Sequence, residues 1–104
     1  MDVLYKILFL TIFSYTTVYA DNTNFLRDSI RMKSCYDSGL KLYSTGDYTQ
    51  ALDSFKHAFE AGSRIYQDNQ FNLRSVYNAL GVTYRNLGQL DNAIEYFLLT
   101  EKSY

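Results

Sequence analysis

Proline and tryptophan are absent from the 104 residues, cysteine and histidine occur once each, and glycine occurs five times. Without proline there is no collagen-like or polyproline segment, and no position carries a built-in kink. A single cysteine excludes an intramolecular disulfide framework. A single histidine makes an all-protein zinc site or a histidine-based catalytic triad hard to build. Charge of either sign is in short supply as well: 10 basic residues stand against 11 acidic ones, for a net −1. That offers no basic field for nucleic-acid phosphates and no acidic tail. A hydrophobic share of 47% and a charged share of 20% mark an ordinary globular chain with room for one small domain.

What the chain does have is eleven tyrosines and seven phenylalanines. Five of these lie in Met1–Ala20, MDVLYKILFLTIFSYTTVYA. Lys6 and the amino terminus supply positive charge, Ile7–Phe13 forms a short apolar core, and Val18-Tyr19-Ala20 offers small or short side chains before a cut. This three-part order predicts a secretory signal over 1–20, cleaved between Ala20 and Asp21, and hence a periplasmic or secreted mature chain of residues 21–104. An uncleaved membrane anchor and a buried first helix are the other readings. The apolar stretch is shorter than the roughly 20 residues that span a bilayer.

A comparison of the sequence with itself shows an offset of 42 residues. Gly39, Gly46, Ala51 and Phe55 recur as Gly81, Gly88, Ala93 and Phe97. Leu40/Val82, Tyr48/Leu90, Leu52/Ile94 and Asp53/Glu95 are conservative in the same register. Between Tyr48 and Tyr66, apolar or small residues fall at steps of three and four, which is one stripe along a helix. Leu73, Val76, Tyr77, Leu80, Tyr84 and Leu87 form a second stripe, and Leu90, Ala93, Ile94, Phe97 and Leu98 a third. Phe25–Tyr43 is a weaker match, carried by Leu26, Ile30, Gly39 and Leu42. Thr45-Gly46-Asp47 and Leu87-Gly88-Gln89 read as turns, with glycine ending one helix and Asp47 capping the next. The expected fold is therefore all-α: four helices in two antiparallel hairpins.

The pattern G-x-x-Y/L-x-x-x-G-x-Y/L-x-x-A-x-x-x-F, with Ala58 in the first copy, resembles the tetratricopeptide repeat, in a variety longer than the usual 34 residues. The resemblance covers roughly residues 32–104, with repeat 1 at 32–73, repeat 2 at 74–104, and 21–31 as an extension or the start of the first helix. Cys35 and Tyr77 stand where the family often has tryptophan, Leu42 replaces the tyrosine matched by Tyr84, and Thr100 replaces the alanine matched by Ala58. The missing proline near the repeat end suits a helix running on through Gly62–Gln67. The fold implied is a short α-solenoid of stacked hairpins. The motif consists of packing residues and says little about a ligand.

Candidates for chemistry each have a plainer explanation. Cys35 on the first stripe reads as a buried small hydrophobe, with an intermolecular disulfide as the other reading. His57 lies one step off its stripe and reads as solvent-facing rather than as a ligand or base. Asp47, Asp53, Asp91 and Glu95 read as caps and solvated faces. No glycine-rich loop precedes a helix with a phosphate-binding lysine. The expectation is a non-catalytic chain with no catalytic residue, no cofactor and no metal.

Tyr36 and Tyr43, with Lys33 and Leu40, follow helical steps on the other side of the first helix. In proteins that this chain resembles, that side lines the concave groove. The equivalent set one repeat on is Ser75, Asn78, Val82 and Arg85, with Asn86 beside it. These nine residues are the expected groove for a protein or peptide partner. Tyr36 and Leu40 stand where chaperone-binding members carry the lysine and asparagine of their carboxylate clamp, which argues against a chaperone tail. No nucleic-acid partner is expected, and no membrane contact after cleavage. The resemblance implies the sensor or assembly part of a longer envelope protein. Two repeats are fewer than the three or so that a solenoid needs. Continuation of the array past Tyr104, self-association through the uncapped repeat end, or a truncated structural fragment without a partner are the expectations this leaves open.

Overall fold

The computed structural model describes the backbone of residues 2–66 and 70–104 and the side chains of residues 23–66 and 72–104. Four helices follow one another: α1 (Asp2–Ser44), α2 (Tyr48–Tyr66), α3 (Gln70–Asn86) and α4 (Leu90–Lys102). There is no strand among the described residues. The α1–α2 and α3–α4 hairpins stack chiefly through α2 on α3, while α1 and α3 meet lightly along a cleft. This is the expected short all-α solenoid.

Both hairpin turns are built the same way. Gly46 and Gly88 adopt φ of +84° and +76°, the left-handed region open to a residue without a β-carbon. The Asp47 amide then donates to the Leu42 carbonyl at 3.0 Å and the Gly46 amide to the Tyr43 carbonyl at 3.0 Å. Gln89 and Gly88 repeat the pattern onto Tyr84 and Arg85 at 2.9 and 3.0 Å, so carbonyls in the last turns of α1 and α3 that lack a helical partner are satisfied. Asp47 caps α2 by accepting a hydrogen bond from the Gln50 amide at 3.3 Å, as expected.

The stripe on α2 becomes the centre of the core. Ala51, Leu52, Phe55 and Ala58 pack with Val76, Leu80 and Tyr84 of α3 and with Ala93 of α4. Each large apolar side chain withdrawn from water here contributes roughly 1.5–3 kcal/mol before the entropy of ordering. A second aromatic layer of Phe59, Tyr77, Tyr84 and Tyr96 covers it, with Tyr84 and Tyr96 stacked at 5.7 Å between centroids. Burial pushes the phenols of Tyr77 and Tyr96 above their ordinary range.

Two expectations about stripes change. On α1, Gly39 and Leu42 face the core as expected, but Leu26 and Ile30 are exposed, and Met32, Cys35, Tyr36 and Tyr43 pack against the core in their place. The buried side of α1 also carries Asp28, only 8% exposed. Arg64 of α2 makes this possible by donating Nε to Asp28 Oδ2 at 3.1 Å and Nη2 to Oδ1 at 3.0 Å. On α4, Ala93 is buried and Phe97 half-buried, but Leu90, Ile94 and Leu98 face outward. Leu52, the counterpart of Ile94 in repeat 1, is buried in the core against α3; nothing among the described residues takes that place on α4. Arg74 ties the end of α4 to α3, donating Nε to Ser103 Oγ at 3.1 Å and Nη2 to the Ser103 carbonyl at 2.6 Å, with its guanidinium 3.7 Å from the Tyr104 ring centre.

The backbone of α1 is one continuous helix through Ala20 and Asp21. The side chains of the anticipated signal, 1–20, lie outside the described residues, as does Gln67, where the extension of the second helix was expected to end. Among the described residues no helix is long and apolar enough to cross a membrane.

Candidate functional site

The cleft between α1 and α3 holds a cavity of about 140 Å³. Tyr36, Leu40 and Tyr43 form its α1 wall, Ser75, Asn78, Ala79 and Val82 its α3 wall, and Phe55 of α2 its floor. The helical steps of three and four that selected Tyr36, Leu40 and Tyr43 place them on one side of α1, and the 42-residue offset brings Asn78 and Val82, the counterparts of Tyr36 and Leu40, to the same space on α3. Six of the nine expected groove residues thus line one cavity.

The remaining three do not line it. Asn86 donates from Nδ2 to the Tyr43 hydroxyl at 2.6 Å and to the Val82 carbonyl at 3.0 Å, so it bridges α3 to α1 at one end of the cleft. Lys33 lines a second cavity of about 270 Å³ that shares Tyr36 and Ser75 with the first and continues the cleft toward the start of α3. Its ammonium donates to Asp37 Oδ2 at 2.9 Å on the exposed surface. Arg85 is not among the cavity's lining residues; its guanidinium lies 6.0 Å from the ring centre of Phe97 on α4.

Phe55 and Ala79 line the cavity without being among the expected groove residues. Phe55 is one of the four recurring identities, a signal that by itself points only to packing. Its ring does both jobs: it meets Tyr36 at 5.8 Å between centroids and 50° between planes, and it fills the space beside Gly39. Met32, Tyr66 and Asn72 of the second cavity carry no signal that separates them from ordinary helix surface.

The chemistry of the first cavity is neutral. Aliphatic and aromatic carbon dominates its walls, with the Tyr36 and Tyr43 hydroxyls, Ser75 and the Asn78 carboxamide as polar groups, and no acid or base among the lining residues. Among the described residues no group of three or more His, Cys, Asp or Glu is placed to hold a metal ion. His57 is half-buried on α2, and Cys35 is a free thiol packed beside the core.

The family model described as Tetratricopeptide repeat matches residues 36–102, more than half of the chain, from the end of α1 through α4. Comparisons with curated proteins and with solved structures found no match.

Proposed function

The chain belongs to the tetratricopeptide repeat family, whose members generally mediate protein–protein interactions, and on that premise we propose that it is a non-catalytic module that holds a peptide segment of a protein partner in the α1–α3 cleft. The observation that carries this reading is the convergence of Tyr36, Leu40 and Tyr43 with Ser75, Asn78 and Val82 on one open cavity. Convergent aromatic and amide side chains on a rigid helical frame suit a bound segment. Selection of a random peptide library on the full chain tests it. Enriched peptides that fail to bind Val82→Trp, which fills the cavity, support the groove. A library that yields no enriched peptide leaves a purely structural role, and peptides indifferent to that substitution move binding away from the groove.

The three-part pattern of Met1–Ala20 supports export, with the module acting as the sensor or assembly portion of an envelope protein. Mass spectrometry of the chain recovered from a secreting host tests export. A mature amino terminus at Asp21 is expected, and retention of Met1 would contradict cleavage. A second reading, self-association, is favoured by the outward-facing Leu90, Ile94 and Leu98 of α4. Sedimentation of the full chain beside Ile94→Asp decides it.

A further inference from the structure

The walls of the cleft select among peptides more narrowly than a general protein-binding surface would, and this selectivity rests on the groove reading. We infer that the cleft takes an extended, uncharged peptide segment, with one leucine- or phenylalanine-sized side chain seated in the first cavity and the adjoining backbone held by the Asn78 carboxamide.

Volume sets the first element. The cavity of about 140 Å³ is close to the ~150 Å³ of an apolar cavity that takes up benzene. One branched aliphatic or aromatic side chain fills it, against Leu40, Val82, Ala79 and the rings of Tyr36, Tyr43 and Phe55.

Charge sets the second. The two cations in the expected groove are engaged elsewhere: Lys33 with Asp37 at 2.9 Å and Arg85 over the Phe97 ring. A carboxylate or phosphate entering the cavity would lose hydration and meet no cation in return. A terminal carboxylate or a phosphorylated anchor is therefore rejected, and so is a lysine, because no acid lines the wall.

Asn78 sets the third. Its carboxamide is exposed at the cavity and makes no hydrogen bond among the described residues. An amide of this kind donates to a peptide carbonyl and accepts from a peptide N–H. In a helical ligand those groups are consumed by the helix's own ladder; in an extended one they are free. The cleft has room for such a segment. From Ser29 to Tyr43 it runs about 21 Å along α1, which an extended chain covers in about six residues. The Asn86–Tyr43 bridge closes one end, so the segment lies with its free length toward Lys33 and Tyr66.

The smallest probe with these features is N-acetyl-leucinamide. Titrated into the full chain and followed by NMR, it is expected to shift the Asn78 side-chain amide and the Leu40 and Val82 methyls, with a Kd on the order of 1–10 mM for so few atoms. The α-amides of N-acetylaspartic acid and N-acetyl-lysine, and N-acetyl-leucine with its free carboxylate, are expected to bind at least about tenfold more weakly. Asn78→Leu is the discriminating variant. It adds apolar surface, so it tightens binding if the cavity reads the side chain alone, whereas a loss of severalfold or more is expected if the carboxamide holds the backbone. Three results overturn the inference: no shift at these groups, equal or better binding of a charged probe, or undiminished binding to Asn78→Leu. The groove reading fails separately. Library peptides that lose binding on Val82→Trp yet place a carboxylate in the cavity would leave the groove standing and remove the uncharged anchor.

Discussion

The ring of Phe55 occupies the space where Gly39 lacks a side chain: a β-carbon there would lie 2.6 Å from Phe55 Cδ1. Gly81 and Phe97 repeat the relationship 42 residues on, with 2.8 Å to the corresponding ring atom. The glycine lets α1 and α3 come close to their partner helices, and in the first repeat the same ring forms the floor of the cleft. The substitution Gly39→Ala forces that ring, 1% exposed, to move against its neighbours or into the cleft whose floor it forms. Overpacking costs about 1–3 kcal/mol, against roughly 1 kcal/mol that alanine returns through helix propensity. A net loss of about 0–2 kcal/mol in urea unfolding is expected. Gly81→Ala is expected to cost less, within about 1 kcal/mol, because half-buried Phe97 has room to tilt.

Gly46 is a different case. A β-carbon there meets nothing within 4 Å, so any cost is conformational rather than steric crowding. Gly46→Ala is expected to lose about 1–2 kcal/mol for holding the left-handed conformation, and Gly46→Asn to lose less. Equal losses for the two variants would show that the turn does not depend on φ.

Leu52 and Ile94 are one repeat apart and 9% and 56% exposed. Leu52→Ala is expected to cost about 2–5 kcal/mol, since it opens a cavity under α3. Ile94→Ala should fall within about 0.5 kcal/mol, as exposed substitutions do. The difference is read from the two midpoints in urea at low protein concentration. A large loss at Ile94 that grows with concentration would mean that another copy covers α4.

Asp28 titrates against Arg64. The guanidinium's hydrogen bonds hold the carboxyl below its ordinary 3.8, despite the opposing push of burial. A depressed folded-state value means that the ion pair adds stability above pH 3.8 and that this contribution disappears as pH falls through the folded value. Wild type is therefore expected to melt above Asp28→Asn near neutral pH, and the two curves to converge in acid. A Tm difference that persists unchanged at low pH would contradict the ion pair as its source.

Much of the scaffold was legible because its determinants are local. Gly46, Gly88 and Asp47 state the turns, and the recurrence of Gly39 with Phe55 as Gly81 with Phe97 states where two backbones approach. The inner face of α1 was legible only in part: Cys35, Gly39 and Leu42 pack inward as their stripe implies, whereas Leu26 and Ile30 do not. Asp28 carried no signal, because the Arg64 that satisfies it lies 36 residues later. Six of the nine expected groove residues share one cavity, because residues at steps of three and four share a face whatever they touch. Arg85 keeps that step, but a long side chain follows the nearest ring and lies over Phe97 instead. The outward face of α4 could not be inferred from composition, since Leu90, Ile94 and Leu98 look the same whether covered or open.

The central claim is that the α1–α3 cleft, and no other surface, holds the partner. The most direct measurement is calorimetric titration of one library-selected peptide into wild type, Val82→Trp and Ile94→Asp. Filling the cleft is expected to lose at least about tenfold, or 1.4 kcal/mol, and altering α4 to leave affinity unchanged. Full affinity in Val82→Trp together with loss in Ile94→Asp would contradict it and move the binding surface to α4.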